Sequence, residues 1–131
     1  MRYLFVLALA ACGGGEAPPA CIATDPSACT DLLYTPTWDH VYANTVSVSC
    51  GGDRSSCHSA SGANGGLVMD TKEHAYAGLL GGRVMPGNAR CSELVVRIEG
   101  IGTGYQMPQG DTLSAGERCA IAQWVQNGAA Q

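Results

Sequence analysis

The residues best suited to chemistry lie between Cys50 and His58, in the run Cys-Gly-Gly-Asp-Arg-Ser-Ser-Cys-His. Two thiols can add to the two vinyl groups of a porphyrin, and an imidazole beside one of them can ligate the iron from one face. The usual attachment motif leaves two residues between the cysteines. Here there are six. On a continuous helix Cys50 and Cys57 would stand about 10.5 Å apart along the axis. That is too far to serve one porphyrin edge or to close a disulfide. Cooperation between them therefore requires residues 51–56 to loop back, and Gly51-Gly52-Asp53 is suitable turn chemistry. The same residues allow a plainer reading, a Cys50 to Cys57 disulfide closing a surface loop with His58 an ordinary polar residue. Spacing alone leaves both open.

The elements that must position this run begin after a leader. Residues 1–11 supply a charge at Arg2, an apolar run from Tyr3 to Ala8, and then Leu9-Ala10-Ala11 before Cys12. That stretch is shorter than the roughly 20 apolar residues a membrane span needs, and it reads as a signal peptide. Leu-Ala-Ala-Cys resembles the lipobox of bacterial lipoproteins, which implies lipidation of Cys12 and a mature chain starting there. The cysteine arithmetic agrees: the chain has seven cysteines, and assigning Cys12 to lipid leaves Cys21, Cys29, Cys50, Cys57, Cys91 and Cys119. Export places these thiols where disulfides persist.

The chain has seven basic and eleven acidic side chains, and loses one base with Arg2. This mildly acidic balance argues against nucleic acid and against a polybasic grip on anionic lipid. Membrane association is expected through the N-terminal lipid only. Phe5, the single Phe, leaves with the signal. A small Gly-rich domain with so thin a core needs disulfides, a metal or an apolar cofactor. Residues 12–34 read as a flexible tether, rich in Gly, Pro and small polar residues. Cys21 and Cys29 flank the turn Asp25-Pro26-Ser27, and a small disulfide loop joining them is the simplest account.

The folded domain is expected over residues 35–131, as four helices. Thr35-Pro36 or Thr37 starts the first, with Trp38, Val41, Tyr42 and Val46 on one face. A β-prone piece, residues 46–50, leads into the Cys/His loop. Leu67-Val68-Met69 is suited to a pocket wall. Asp70 or Thr71 caps the second helix, which ends at Gly81-Gly82. Asn88 caps a third helix over residues 89–99, with Cys91, Leu94, Val95 and Ile98 on its inner stripe. A Gly-rich loop, residues 100–110, carries Met107. Ser114 and Glu117 form a capping box for the last helix, whose inner stripe is Ile121, Trp124, Val125 and Gly128. Cys119 points off that stripe toward a flanking element, and Cys91 is its expected disulfide partner. His40 and His74 fall among polar neighbours and read as exposed.

Residues 38–129 resemble the small class I cytochrome c domains of bacterial envelope lipoproteins. The resemblance rests on Cys50, Cys57 and His58, on Val84-Met85-Pro86-Gly87-Asn88, and above all on Met107-Pro108-Gln109-Gly110 followed by Leu113-Ser114, Glu117, Ile121, Trp124 and Gly128-Ala129. It implies an all-α domain holding one covalently attached haem c. Cys50 and Cys57 would be the thioether donors, His58 the proximal iron ligand and Met107 the distal one, with Met85 the competing Met-Pro loop. It further implies single-electron transfer in the cell envelope, a protein redox partner and no independent enzyme activity. The alternative is a haem-free relative, stapled by disulfides, that acts as a binding or scaffold module.

Overall fold

The structure, a computed structural model, describes residues 15–51 and 57–131. The expected signal peptide, the lipidation at Cys12 and most of the turn expected at residues 51–53 lie outside the described residues. Among those described there are four α-helices and no strand.

Helix α1 (Trp38–Val41) runs without a break into a π-helical segment, Tyr42–Cys50. The β-prone piece, residues 46–50, takes no strand conformation and is part of this segment. Thr45, Val46 and Val48 favour strands when considered alone, but Gly51 donates its amide to the Val46 carbonyl at 3.1 Å, a five-residue step that keeps the segment wound. Ser47 and Asn44 bond back to the carbonyls of Ala43 and His40, at 3.2 and 2.8 Å. Burial decides the outcome: Trp38, Val41, Thr45 and Val46 are buried, and only a helical path puts all four against the core.

Helix α2 (Lys72–Leu80) starts at Thr71, whose hydroxyl accepts the His74 amide, and buries Ala75 and Leu79. Helix α3 (Glu93–Glu99) begins later than the sequence suggests. Asn88 caps a short 3-10 turn, Ala89–Cys91, and Ser92 is extended, so Cys91 precedes the helix. The buried Ser92 hydroxyl holds the preceding loop, donating to the Asn88 carbonyl at 2.8 Å and accepting the Met85 amide at 2.8 Å. Helix α4 (Ala115–Gln126) carries the expected Ser114–Glu117 capping box. Its buried face includes Ile121, Trp124 and Val125, and Trp124 stacks on Trp38 with ring centroids 5.1 Å apart. Tyr76 from α2 closes the cluster against both rings. The Trp38 indole nitrogen is buried without a hydrogen-bond partner among the described residues.

The N-terminal segment departs most from expectation. The described part of the presumed tether is laid along the domain. Ile22 donates its amide to the Arg90 carbonyl at 3.0 Å, and Leu33 donates to Gly116 at 3.2 Å. Cys21 pairs with Cys91, and Cys29 pairs with Cys119. The expected pairings of Cys21 with Cys29 and of Cys91 with Cys119 are therefore both corrected. Cys91, expected on the inner stripe of the third helix, sits in the 3-10 turn before it, and Cys91 and Cys119 both meet the N-terminal strap, residues 21–34, rather than each other. Residues 21–34 thus belong to the folded unit. No described helix is long and apolar enough to cross a membrane.

Candidate haem-binding site

The end of the π-helical segment, the loop after Cys57, α2, α3 and the Met107 loop enclose a cavity of about 670 Å³. That is within the range of small-molecule and cofactor sites. Its apolar wall includes Leu67, Met69, Leu79, Leu94 and Ile98, so the expectation for the 67–69 run holds for Leu67 and Met69. Cys50, Cys57, His58 and Met107 all line this one cavity. Met85 does not; it is 48% exposed. His40 and His74 are exposed and face other partners, Thr37 at 3.0 Å and Asp70 at 2.7 Å.

His58 is held at both ends. Its carbonyl accepts the Met69 amide at 2.6 Å, and its ring Nδ1 lies 3.3 Å from the Leu67 carbonyl. A carbonyl oxygen only accepts, so Nδ1 carries the proton and Nε2 keeps its lone pair for a metal. Burial pushes the His58 pKa below its ordinary value. Carbonyl contacts with Leu67 and Asn64 oppose that shift, and the positive charges of Arg83 and Arg97 reinforce it. The ring is thereby kept neutral, the form that ligates iron.

Cys50 ends the π-helical segment, and Gly51 follows because the chain there runs against Met69. A Cβ on Gly51 would lie 2.4 Å from the Met69 Cβ. The cavity leaves Cys50 partly exposed, yet burial, and secondarily the Glu117 carboxylate, push its thiol up to about 12. At neutral pH it is an uncharged thiol.

Met107 is half-buried, on a loop that is pinned along its length. Its amide donates to the Arg97 carbonyl at 3.1 Å. The Gln106 side chain accepts the Gly102 amide at 2.7 Å and donates to the Asp111 carbonyl at 2.7 Å. Gly110 adopts φ 78°, a left-handed turn that favours glycine at the end of Met-Pro-Gln-Gly. The Ser114 cap then starts α4.

The residues present fit a haem: an apolar cavity, the Cys50 thiol, the Cys57 sulfur, which this structure holds in a disulfide that must be reduced before it can attach, an imidazole favoured in its neutral form, and a thioether. Arg83 and Arg97 also reach the cavity wall. Neither was singled out in the sequence, where an Arg after Gly-Gly and an Arg on a helix give no sign of facing inward.

Residues 55–111 match the family model described as Planctomycete cytochrome C. The matched stretch takes in Cys57, His58 and Met107 and leaves out Cys50. It supports a cytochrome c-like domain, in keeping with the four-helix, all-α fold. No curated protein and no solved structure matches the chain.

Proposed function

We propose that this protein is a mono-haem c-type cytochrome that passes single electrons. The observation that carries this reading is the convergence of Cys50, Cys57, His58 and Met107 on one mainly apolar cavity. Cys50 and Cys57 would hold the haem covalently, and His58 Nε2 and the Met107 sulfur would hold the iron. Bound there, the haem supplies a one-electron iron couple. The chain's own residues set its conditions. Leu67 orients the imidazole through Nδ1, and the aliphatic wall excludes water and disfavours net charge. A thioether opposite an imidazole raises the reduction potential. An electron carrier of this kind needs no substrate site and is not an enzyme. Lipidation at Cys12 would tether it in the bacterial envelope, periplasmic or at the outer membrane, where it would meet a protein redox partner.

The second reading is a haem-free, disulfide-stapled binding or scaffold module. The two bridges to the strap favour it, because they fasten the domain without any cofactor. A redox titration of protein made with a haem-maturation system separates the two. The cytochrome reading expects one reversible one-electron wave. A protein with no redox-active absorption in the visible range supports the module instead.

A further inference from the structure

Two guanidinium groups lie on the cavity wall, and their surroundings differ. Arg97 Nε donates to Glu93 at 2.7 Å, and its Nη1 donates to the Tyr105 carbonyl at 3.3 Å. Its own carbonyl accepts the Met107 amide. Its charge is matched, and its bonds run to the loop that carries Met107. Arg83 donates through Nη2 to the Gly65 carbonyl at 2.5 Å and through Nη1 to the Gly78 carbonyl at 3.5 Å. Carbonyls satisfy hydrogens but not charge, and no ion pair to Arg83 occurs among the described residues. A half-buried cation without a counter-ion is costly. An anion entering the cavity would offset that cost, and the planar guanidinium fork suits a carboxylate.

The other charged groups on the wall narrow the choice of anion site. Glu93 is engaged by Arg97. Asp111 is exposed, with Oδ1 accepting the Thr112 amide at 2.7 Å, and it would repel a second carboxylate. His58 is kept neutral. That leaves Arg83 as the unmatched charge among the described residues. Iron protoporphyrin carries two carboxylate arms that need such a partner.

We propose that Arg83 receives a carboxylate of the tetrapyrrole, while Arg97 is a positioning residue for the Met107 loop. This rests on the haem reading above and adds to it a specific receptor for the polar edge of the cofactor.

The test compares wild-type holoprotein with Arg83→Gln, Arg83→Lys and Arg97→Gln, each followed by reduction potential against pH. An arginine-paired carboxyl stays ionised through the acid range, so the wild-type potential is flat from roughly pH 5 to 7. In Arg83→Gln the unpaired carboxyl takes up a proton on reduction, and the potential falls as pH rises through that window. Arg83→Lys keeps the charge and remains nearly flat, which separates loss of charge from damage to the Gly65 turn. Arg97→Gln remains flat but weakens the near-infrared band of thioether-to-iron charge transfer. An Arg83→Gln profile that traces the wild type overturns the proposal, as does a slope that appears in Arg97→Gln instead. Wild-type protein without haem brings down the cytochrome reading and this assignment together. Haem present with Arg83→Gln unchanged brings down this assignment alone.

Discussion

Replacing Cys29 and Cys119 together by alanine removes a bridge between residues 90 positions apart in sequence. In the chain-entropy account, closing a loop of that length in the unfolded chain is worth about 4.6 kcal/mol. The other bridge lowers this figure only slightly. With Cys21 still joined to Cys91, the shortest covalent path between the two sites is about 36 residues, which gives about 4 kcal/mol. Cys119 is 4% exposed, so losing its sulfur adds a packing cost of about 1 kcal/mol. The expected loss is therefore about 5 kcal/mol, a large share of the 5–15 kcal/mol typical of a small domain. It should lower the melting temperature by roughly 15–20 °C, at about 4 °C per kcal/mol for a domain of this size. Thermal unfolding followed by far-ultraviolet circular dichroism without reductant measures it. A loss below about 1 kcal/mol would refute the reasoning. So would non-reducing peptide maps that join Cys21 to Cys29 and Cys91 to Cys119.

The remaining predictions concern the site and the buried polar chain behind it. Met107→Ala should abolish the near-infrared thioether band, lower the potential and open the iron to small ligands while covalent haem stays in place. Met85→Ala, at an exposed position, should leave the spectrum unchanged and cost less than about 1 kcal/mol; loss of the band in Met85→Ala alone would mean that the wrong loop supplies the ligand. The Tyr34 hydroxyl lies 2.7 Å from the buried Thr45 hydroxyl, which in turn donates to Glu117 at 3.1 Å. Burial raises the Tyr34 pKa above its ordinary value. Its stabilising contribution is therefore complete below about pH 10 and is lost as pH rises through the raised value. Tyr34→Phe should cost about 1 kcal/mol at neutral pH and flatten the alkaline fall in stability seen in denaturant titrations; an unchanged alkaline slope would count against this.

Local chemistry was the legible part of the sequence. The Ser114–Glu117 capping box, the Thr71 cap and the Ile121, Trp124 and Val125 stripe of α4 depend on neighbours within a few residues, and each forms as expected. Gly128, expected on that stripe, is instead exposed beyond the end of the helix. Cys57, His58 and Met107 could be placed together only through family resemblance, since they are far apart in the chain. What failed were inferences that needed three-dimensional neighbours. Helix periodicity put Cys91 on an inner stripe and Cys119 off one but could not say what either meets, and small polar residues made the strap look like a tether. Its order comes from two bridges and from backbone bonds to Arg90 and Gly116. Residues 46–50 looked β-prone because Val46 and Val48 are branched, whereas the buried Trp38 face kept them wound. Arg83 was invisible because its placement depends on carbonyls of the Gly65 turn and of α2, which no local pattern announces.

Covalent haem is the claim on which the functional account stands. It is tested most directly by expressing the full chain with a c-type maturation system, extracting the purified protein with acid-acetone and recording the Soret absorption of the protein fraction. The account predicts that the band stays with the protein and that the intact mass rises by one haem. A colourless protein fraction, with the mass of the chain and its disulfides alone, would contradict it.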